Sequence, residues 1–264
     1  MAKFQCNVIS YSLKRTVDIT VIVPTPTIPQ SMGMGMKEGE TPRHTPKALY
    51  PVLYLLHGGG NNQSQWTGYT KVELYAEEHQ IIVVNMAGEN KFFTTAKGGD
   101  DFYRFISEEL PDFVTGLFPA SKDPKDTYIA GLSMGAYGTM IHGLTHPEKY
   151  AAMGVLSCGG GQLKRSGAMG MNSEVPDEHV PNTLLTNWNG KAFPKVYVAV
   201  GKDDFGYAGC VETKDLFIKA GADVTYDELE GYGHEWRFWD IEIEKFLKWL
   251  PRTDAYAADG PRQI

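Results

Sequence analysis

The sequence predicts an α/β fold with a mostly parallel central sheet, helices on both faces of that sheet and a small cap-like insertion. Strand-like and helix-like segments alternate along most of the 264 residues, which is typical of parallel strands joined by crossover helices. Several strand-like runs are apolar without alternation, as in strands that are covered on both faces. The chain has no internal repeat and no evident linker, so residues 1–264 are predicted to form a single domain.

The predicted strands begin with two runs rich in β-branched residues, around Phe4–Tyr11 and Thr16–Val23. An irregular segment rich in Pro, Gly and Met follows at about 24–47 and is predicted to be a surface insertion. Further strands are predicted at 52–56, 81–86, 127–131, 150–157, 195–201 and 224–230. A second irregular segment, 158–193, is rich in Gly, Asn and Pro and separates two of these strands.

Helices are predicted between the strands at about 70–79, 100–118, 135–146, 211–221 and 236–250. Asp100 or Asp101 can cap the second of these helices, which carries apolar residues on one face. Pro111 lies within this helix and is expected to kink it. The last helix repeats apolar residues every three or four positions from Trp236 to Leu250, and this stripe is most simply core.

The stretch "GLSMG", residues 131–135, lies between a predicted strand and a predicted helix. A sharp strand-to-helix turn in this position is known to present a nucleophilic serine, which here is Ser133. Gly131 and Gly135 lack the side chains that would clash in such a turn. The start of the helix also directs free N–H groups and a positive dipole end at the reacting oxygen. This context favours a nucleophile over a small residue in a crowded turn.

A serine hydroxyl needs a base to become a good nucleophile, and His234 is the candidate among the seven histidines. It lies in "EGYGHEW", a loop between the last predicted strand and the last predicted helix. This loop leaves the carboxyl end of a strand, where α/β sheets place their sites. His142 and His146 have a spacing that zinc ligands can use, but no third ligand is nearby, and we interpret them as ordinary helix residues.

An acid is expected between the serine and the histidine, and Asp203 and Asp204 follow the strand predicted at 195–201. One of the two carboxylates can bind the second ring nitrogen of His234 and fix its tautomer. The other would then belong to a turn or cap a helix. These residues alone do not decide between the two.

Negative charge that develops on a substrate oxygen requires two N–H donors aimed at it. One should be the N–H of Met134, the residue after the nucleophile. The other should come from the glycine turn in "HGGG", which follows the predicted strand 52–56. Gly59 is the first candidate in that turn and Gly58 the second.

Together these residues resemble the esterase D branch of the α/β-hydrolases. This branch includes tributyrin-type, feruloyl, cinnamoyl and acetyl-xylan esterases and S-formylglutathione hydrolases. The resemblance runs from about Pro51 to Leu250. It rests on "PVLYLLHGGGNNQSQWT", "DFYRFISEELPDFV", "YIAGLSMGAYGTM", "GKDDF" and "GHEWRFWDIEIEKFLKWLP". The Met-rich part of the first insertion, at 31–36, and the segment 158–193 depart from the family, so substrate details carry over least.

The resemblance implies an α/β-hydrolase fold and a catalytic triad of Ser133, Asp204 and His234. Asp204 is selected because the family's acid is the third residue after the glycine of "GKDDF". The implied reaction is the two-step hydrolysis of short acyl or aryl esters through an acyl-enzyme, with no cofactor and no metal. A small-molecule ester is therefore the expected partner, and an acylated oligosaccharide is one form it can take.

Four aromatic residues are predicted to contact the substrate. Trp66 follows the glycine turn, and Phe92 and Phe93 follow the strand 81–86, so all three are expected to wall a small or flat apolar pocket. Trp188 belongs to the segment 158–193, which is too long for a plain crossover and too irregular for one helix. This segment is expected to form a small cap over the serine, with a disordered surface loop as the alternative.

Composition excludes several other classes of protein. The net charge of −7 is spread without a basic run, which argues against nucleic-acid binding, and no apolar stretch is long enough for a membrane span. Three widely spaced cysteines argue against a disulfide framework and favour the cytoplasm, with secretion as the alternative if a leader has been removed. A thioesterase of the S-formylglutathione type, an acyltransferase and a non-catalytic binding protein stay open, as does a homo-oligomer.

Overall fold

The computed structural model describes residues 1–36, 38–95, 99–159, 175–262 and 264, and its eight strands form one sheet in the order β1-β2-β4-β3-β5-β6-β7-β8. The strands are β1 (Ala2–Ser10), β2 (Arg15–Val23), β3 (Val52–Leu56), β4 (Ile82–Met86), β5 (Thr127–Leu132), β6 (Ala152–Leu156), β7 (Lys195–Gly201) and β8 (Val224–Leu229). β1 and β2 form an antiparallel hairpin, and β2 pairs antiparallel with β4. All other pairs are parallel, so the predicted mostly parallel sheet is confirmed.

Most of the helices lie where the sequence predicts them, with several differences in their bounds. They are α1 (Ile28–Ser31), α2 (Gln65–Tyr69), α3 (Val72–His79), α4 (Phe102–Arg104), α5 (Leu110–Leu117), α6 (Met134–Thr145), α7 (Pro181–Thr186), α8 (Tyr207–Lys219) and α9 (Trp236–Trp249). The short helices α1, α2 and α7 were not predicted, and α8 begins four residues before its predicted start at 211. None of the helices in the described ranges is long and apolar enough to cross a membrane.

The helix predicted at 100–118 departs from regular α-helical hydrogen bonding just before Pro111, where a kink was expected. A π-helical turn, Phe105–Glu109, separates α4 from α5, and Pro111 lies in the first turn of α5. Proline has no N–H and cannot donate to the carbonyl four residues earlier, which is that of Ser107. The Lys149 ammonium donates to this carbonyl instead, with an Nζ–O distance of 2.8 Å. The helical run from Phe102 to Leu117 is therefore continuous, with a π turn just before the proline, and the kink expected at Pro111 stays a prediction.

The sheet is covered by helices on both faces, and the strand β3 shows why its sequence lacks alternation. Val52, Tyr54 and Leu56 belong to one buried cluster, while Leu53 and Leu55 belong to another. The first cluster also contains buried residues of α6 and α8, and the second contains those of α3 and α9. Because both faces are buried, each side chain of the strand is apolar.

The two predicted insertions differ from a plain loop in their described parts. The first contains α1, whose N-terminus is capped reciprocally by Thr27 and Gln30. In the second, residues 160–174 lie outside the described residues, so the cap expected over 158–193 stays a prediction there. The part that follows contains α7, whose neighbours are α6 and α8. Val180 and Leu185 of this part are buried in the core, so it is packed on the body of the protein.

Candidate active site

Ser133 is the single residue between β5 and α6, and its backbone is strained. Its φ is 53° and its ψ −116°, a combination that side-chain-bearing residues rarely adopt. The Ser133 N–H donates to the Leu156 carbonyl at the end of β6, at 2.9 Å. The Ser133 carbonyl accepts from the Tyr137 N–H of α6, at 3.2 Å. The neighbouring strand and the helix therefore hold a conformation of the kind that concentrates at functional sites.

The glycines around Ser133 allow the helix to lie directly on the sheet. A β-carbon on Gly131 would lie 2.4 Å from the carbonyl carbon of Gly135. A β-carbon on Gly135 would lie 2.4 Å from the carbonyl oxygen of Leu56 in β3. The predicted crowding is present, but the clash that these glycines avoid is with backbone atoms and not with the serine side chain. Gly138, one turn on, makes room in the same way for the ring of Phe93.

Ser133, His234 and Asp204 form a continuous hydrogen-bonded chain. The distance from Ser133 Oγ to His234 Nε2 is 2.9 Å, and that from His234 Nδ1 to Asp204 Oδ2 is also 2.9 Å. Because an ionised carboxylate only accepts, Nδ1 carries the proton and Nε2 is free to accept from the serine hydroxyl. This is the tautomer that a general base requires.

The carboxylate of Asp204 is buried yet ionised at neutral pH. Burial on its own would raise the pKa of Asp204, but hydrogen bonds from His234 and from the Gly206 N–H outweigh this and lower it below its usual value. The Gly206 N–H donates to Oδ1 at 2.7 Å. The neighbouring Asp203 is exposed, and its backbone N–H donates to the Tyr232 carbonyl at 3.0 Å. Of the two aspartates, the structure thus brings Asp204 and not Asp203 to the histidine.

The glycine turn that follows β3 lies against the serine. A β-carbon on Gly58 would lie 3.5 Å from the Ser133 Cβ and 2.5 Å from Leu132 Cδ1. Within the described parts of the chain, the N–H groups of Gly59 and Met134 donate to no protein acceptor. Both are therefore available to a bound oxygen, as the sequence predicts for an oxyanion hole.

His57 and Asn90 both contact the glycine turn through hydrogen bonds. The buried His57 ring contacts the Gly58 carbonyl through Nδ1 at 2.7 Å and accepts the Gly88 N–H at Nε2, at 2.8 Å. Asn90 Oδ1 accepts the N–H of Gly60 at 2.7 Å. Burial lowers the pKa of His57 to about 4, so the ring stays neutral and keeps the acceptor that Gly88 needs. Sequence reasoning treated His57 only as part of the turn.

The burial of His57 and His142 predicts that acid destabilises the fold. Burial lowers the pKa of His57 to about 4 and that of His142 to about 3. An unfolded histidine has a pKa of about 6.5, so below pH 6.5 the unfolded chain binds protons that the folded chain does not. The free energy of unfolding is therefore highest above pH 6.5 and falls as the pH drops towards the pKa values of the folded state. At pH 5, each of the two rings should lower the free energy of unfolding by about 2 kcal/mol.

Urea unfolding at pH 7.5 and pH 5 measures this effect, with His142→Asn as the comparison. The asparagine amide can still donate to the Phe93 carbonyl, which the Nε2 of His142 contacts at 2.9 Å. We expect the drop in unfolding free energy between the two pH values to be about 2 kcal/mol smaller in this variant, because His142 no longer contributes to it. Equal stability of the unaltered protein at both pH values would contradict the prediction.

Three of the four aromatic residues predicted to contact substrate lie in the core instead, and the contact of Trp188 with substrate stays a prediction. Trp66, Phe92 and Phe93 are 0, 1 and 0% exposed, so they are core residues and not walls of an open pocket. The Trp66 indole N–H donates to the Leu56 carbonyl at 3.0 Å, and its ring belongs to the cluster under α3 and α9. Trp188 is half-buried and stacks on Phe193 with 4.0 Å between ring centroids. The position of Trp66, Phe92 and Phe93 in loops did not reveal that their rings face the core.

Two features beside the triad were missed by sequence reasoning. Phe205 is 72% exposed, and its ring centroid lies 4.5 Å from that of His234. Its position directly after the acid was the available signal. Cys158 and Cys210 are both buried, with 3.1 Å between their sulfur atoms as thiols, although 52 residues separate them. Their spacing in the sequence gave no indication of this contact. The described residues include no cluster of His, Cys, Asp and Glu suited to a metal ion.

Known proteins are similar to this chain in both sequence and fold. The family described as "Putative esterase" matches residues 30–249. An acetyl esterase of Caldicellulosiruptor saccharolyticus is 27% identical over 277 residues, which cover 96% of this chain and 99% of that protein. The fluorophosphonate-binding serine hydrolase F of Staphylococcus aureus superposes with a TM-score of 0.79 at 26% identity, covering 96% of this chain and 99% of that one.

An S-formylglutathione hydrolase of Staphylococcus aureus is similar to the same degree. Its TM-score is 0.77 at 26% identity, and the match covers 94% of this chain and 98% of that one. The family match spans well over half of the chain, and the structural matches span nearly all of it. The chain therefore belongs to this esterase family and is a serine carboxylesterase with the α/β-hydrolase fold.

Proposed function

We propose that the protein hydrolyses short-chain carboxylic esters with Ser133 as nucleophile, His234 as general base and Asp204 as the acid that orients the base. The observation that carries this proposal is the hydrogen-bonded chain from Ser133 Oγ through the His234 ring to Asp204 Oδ2, with both distances 2.9 Å. The strained backbone of Ser133 at the start of α6 supports the same assignment.

In the first step, Ser133 Oγ attacks the ester carbonyl carbon and its proton passes to His234 Nε2. The carbonyl oxygen becomes negative, and the N–H groups of Met134 and Gly59 donate to it. Asp204 stabilises the imidazolium that forms. The carbon–oxygen bond to the alcohol then breaks, and His234 returns the proton to the leaving alcohol. An acyl-enzyme on Ser133 remains.

Water completes the cycle by the same route. His234 Nε2 takes a proton from a water molecule as its oxygen attacks the acyl carbon. The two N–H donors hold the second oxyanion, and the bond to Ser133 Oγ breaks as His234 protonates the serine. The products are the carboxylic acid and free enzyme. Every proton in this scheme moves through His234 Nε2, so no further acid or base is needed.

We propose acetyl to butyryl groups as the preferred acyl part. The relative that is 27% identical to this chain is an acetyl esterase, which supports a short acyl group.

A series of p-nitrophenyl esters from acetyl to decanoyl tests the acyl preference. We expect kcat/KM to be highest between acetyl and butyryl and at least about tenfold lower for octanoyl, since a chain that does not fit loses its binding energy in the transition state. A kcat/KM that climbs steadily with chain length would contradict the proposal and indicate a lipase.

A thioesterase acting on S-formylglutathione is the second candidate, because a similar structure has that activity. The same triad would serve, with a thiol as the leaving group. Parallel assays with p-nitrophenyl acetate, a feruloyl ester and S-formylglutathione decide between the candidates by kcat/KM. Turnover that rises with an added sugar or alcohol acceptor would instead indicate an acyltransferase.

We also propose which part of the substrate Phe205 contacts and in which compartment the protein acts. The exposed ring of Phe205 beside His234 is suited to stack on an aryl group or on the sugar of an acylated oligosaccharide. The odd number and wide spacing of the three cysteines support a reducing compartment such as the cytoplasm.

A further inference from the structure

Ser157 lies directly after β6, at the point of the sheet that also holds the nucleophile turn. The preceding residue, Leu156, accepts the N–H of Ser133, and the N–H of Ser157 donates to the Ala199 carbonyl of β7 at 2.8 Å. Ser157 is 1% exposed, and its φ is 52°. A glycine would adopt this φ without strain, so the serine side chain is kept here at a conformational cost.

The Ser157 hydroxyl is held by the last helix and lies near the triad acid. The indole N–H of Trp239 in α9 donates to Ser157 Oγ at 3.1 Å. Burial raises the pKa of the Asp204 carboxyl, whereas His234, the Gly206 N–H and the Ser157 side chain lower it. Since the surroundings of Ser157 are dry, a hydroxyl proton without an acceptor would be costly, and the Asp204 carboxylate is the candidate acceptor.

We propose that Ser157 is a positioning residue of the triad, which receives the Trp239 N–H and donates to Asp204 so that this carboxylate faces His234. With it, Asp204 accepts from three separate elements: the end of β6, the start of α8 and the loop before α9. Three donors in different directions define the plane of a carboxylate better than two. The inference rests on the proposed role of Asp204.

Trp239 contacts the base His234 as well as the Ser157 hydroxyl. Its ring meets the His234 ring edge to face, with 5.0 Å between centroids and an angle of 90° between planes. One indole thus limits how far His234 can tilt while its N–H fixes the hydroxyl that holds Asp204. The rotations of both members of the pair are therefore coupled to a single buried side chain, which is 5% exposed.

The test compares Ser157→Ala with Ser157→Gly, which lose the same hydroxyl but differ in backbone strain. We expect both to lower kcat for p-nitrophenyl acetate by about tenfold with KM changed less than twofold, because misalignment of the triad affects the transition state and not substrate binding. The glycine variant should have a higher Tm than the alanine variant, since both lose the acceptor of the Trp239 N–H but only glycine relaxes the backbone. A purely structural role predicts full activity in the glycine variant, and that result would overturn the inference.

Ser10→Ala is a matched control remote from the triad. Ser10 is also 1% exposed, and its hydroxyl donates to the buried carboxylate of Glu109 at 2.9 Å. This variant should lose stability to a similar extent while kcat stays within about twofold of the unaltered enzyme. An equal loss of kcat in Ser10→Ala would attribute the effect to general destabilisation and overturn the inference.

A double-mutant cycle with Asp204→Asn shows whether Ser157 acts through Asp204. If it does, Ser157→Ala should change kcat less than twofold once Asp204 is replaced, although it costs about tenfold in the unaltered enzyme. A tenfold loss in both backgrounds would contradict the proposed route. An active Asp204→Asn enzyme would overturn the proposed function itself, whereas an inactive Asp204→Asn with a fully active Ser157→Ala would overturn only the role of Ser157.

Discussion

Ser133→Ala is expected to lower kcat by roughly a million-fold while leaving the fold intact. The variant removes the only atom of the serine that forms the new bond to the acyl carbon, and no neighbouring nucleophile contacts His234 Nε2 among the described residues. Alanine keeps the β-carbon and suffers the same positive φ, so the backbone strain is unchanged. The residual rate would come from the oxyanion donors and substrate binding alone.

The measurement is the initial rate of p-nitrophenyl acetate hydrolysis, together with covalent labelling by a fluorophosphonate. Ser31→Ala is a suitable control, because Ser31 is an exposed serine of α1 in the first insertion. We expect the control to be labelled and active, and Ser133→Ala to be neither. A Ser133→Ala enzyme that kept more than a few per cent of the rate, with unchanged Tm, would refute the assignment of the nucleophile.

The strands and turns that carry the site residues could be predicted, because local sequence patterns determine them. The strand β7 was predicted with its observed bounds, since a continuous apolar run with β-branched residues is incompatible with the exposed side of a helix. Ser133 was predicted to lie in a strand-to-helix turn, and it does, because Gly131 and Gly135 are required where backbone approaches backbone. His234 could be found from its place between the last strand and the last helix.

Side-chain direction in the loops could not be predicted, and the aromatic residues after β4 show why. Phe92 and Phe93 have φ values of 51° and 57°, which turn both rings into the core. Neither is a glycine or an asparagine, so the sequence carries no sign of the left-handed backbone that reverses them.

Contacts between distant residues were also beyond the sequence. Trp239 was predicted as part of an apolar stripe, and it is buried as expected, but its N–H bond to Ser157 depends on where α9 crosses β6. The pairing of Cys158 with Cys210 depends in the same way on where α8 crosses the end of β6. Helix position along a sheet is set by the whole core, so no local pattern encodes it.

The second largest effect is expected for Asp204→Asn, and the same change at the adjacent Asp203 is expected to have little effect. Asp204→Asn is expected to lower kcat about ten-thousand-fold, and Asp203→Asn to change it less than threefold. Asp204 Oδ2 accepts from His234 Nδ1, whereas the Asp203 side chain is exposed. The pair is a matched test, because the same chemical change is made at neighbouring positions.

The loss in Asp204→Asn follows from the tautomer of His234 and not from a loss of contact. An asparagine amide that keeps its oxygen on the Gly206 N–H must turn its NH2 group to His234 Nδ1. Nδ1 then accepts, the proton moves to Nε2, and Nε2–H can no longer take the proton of Ser133. Rates measured across pH separate this from unfolding: the loss should shrink at high pH, where hydroxide replaces the general base, while Tm stays close to that of Asp203→Asn. Equal losses in the two variants, or a larger loss in Asp203→Asn, would show that the acid is not Asp204.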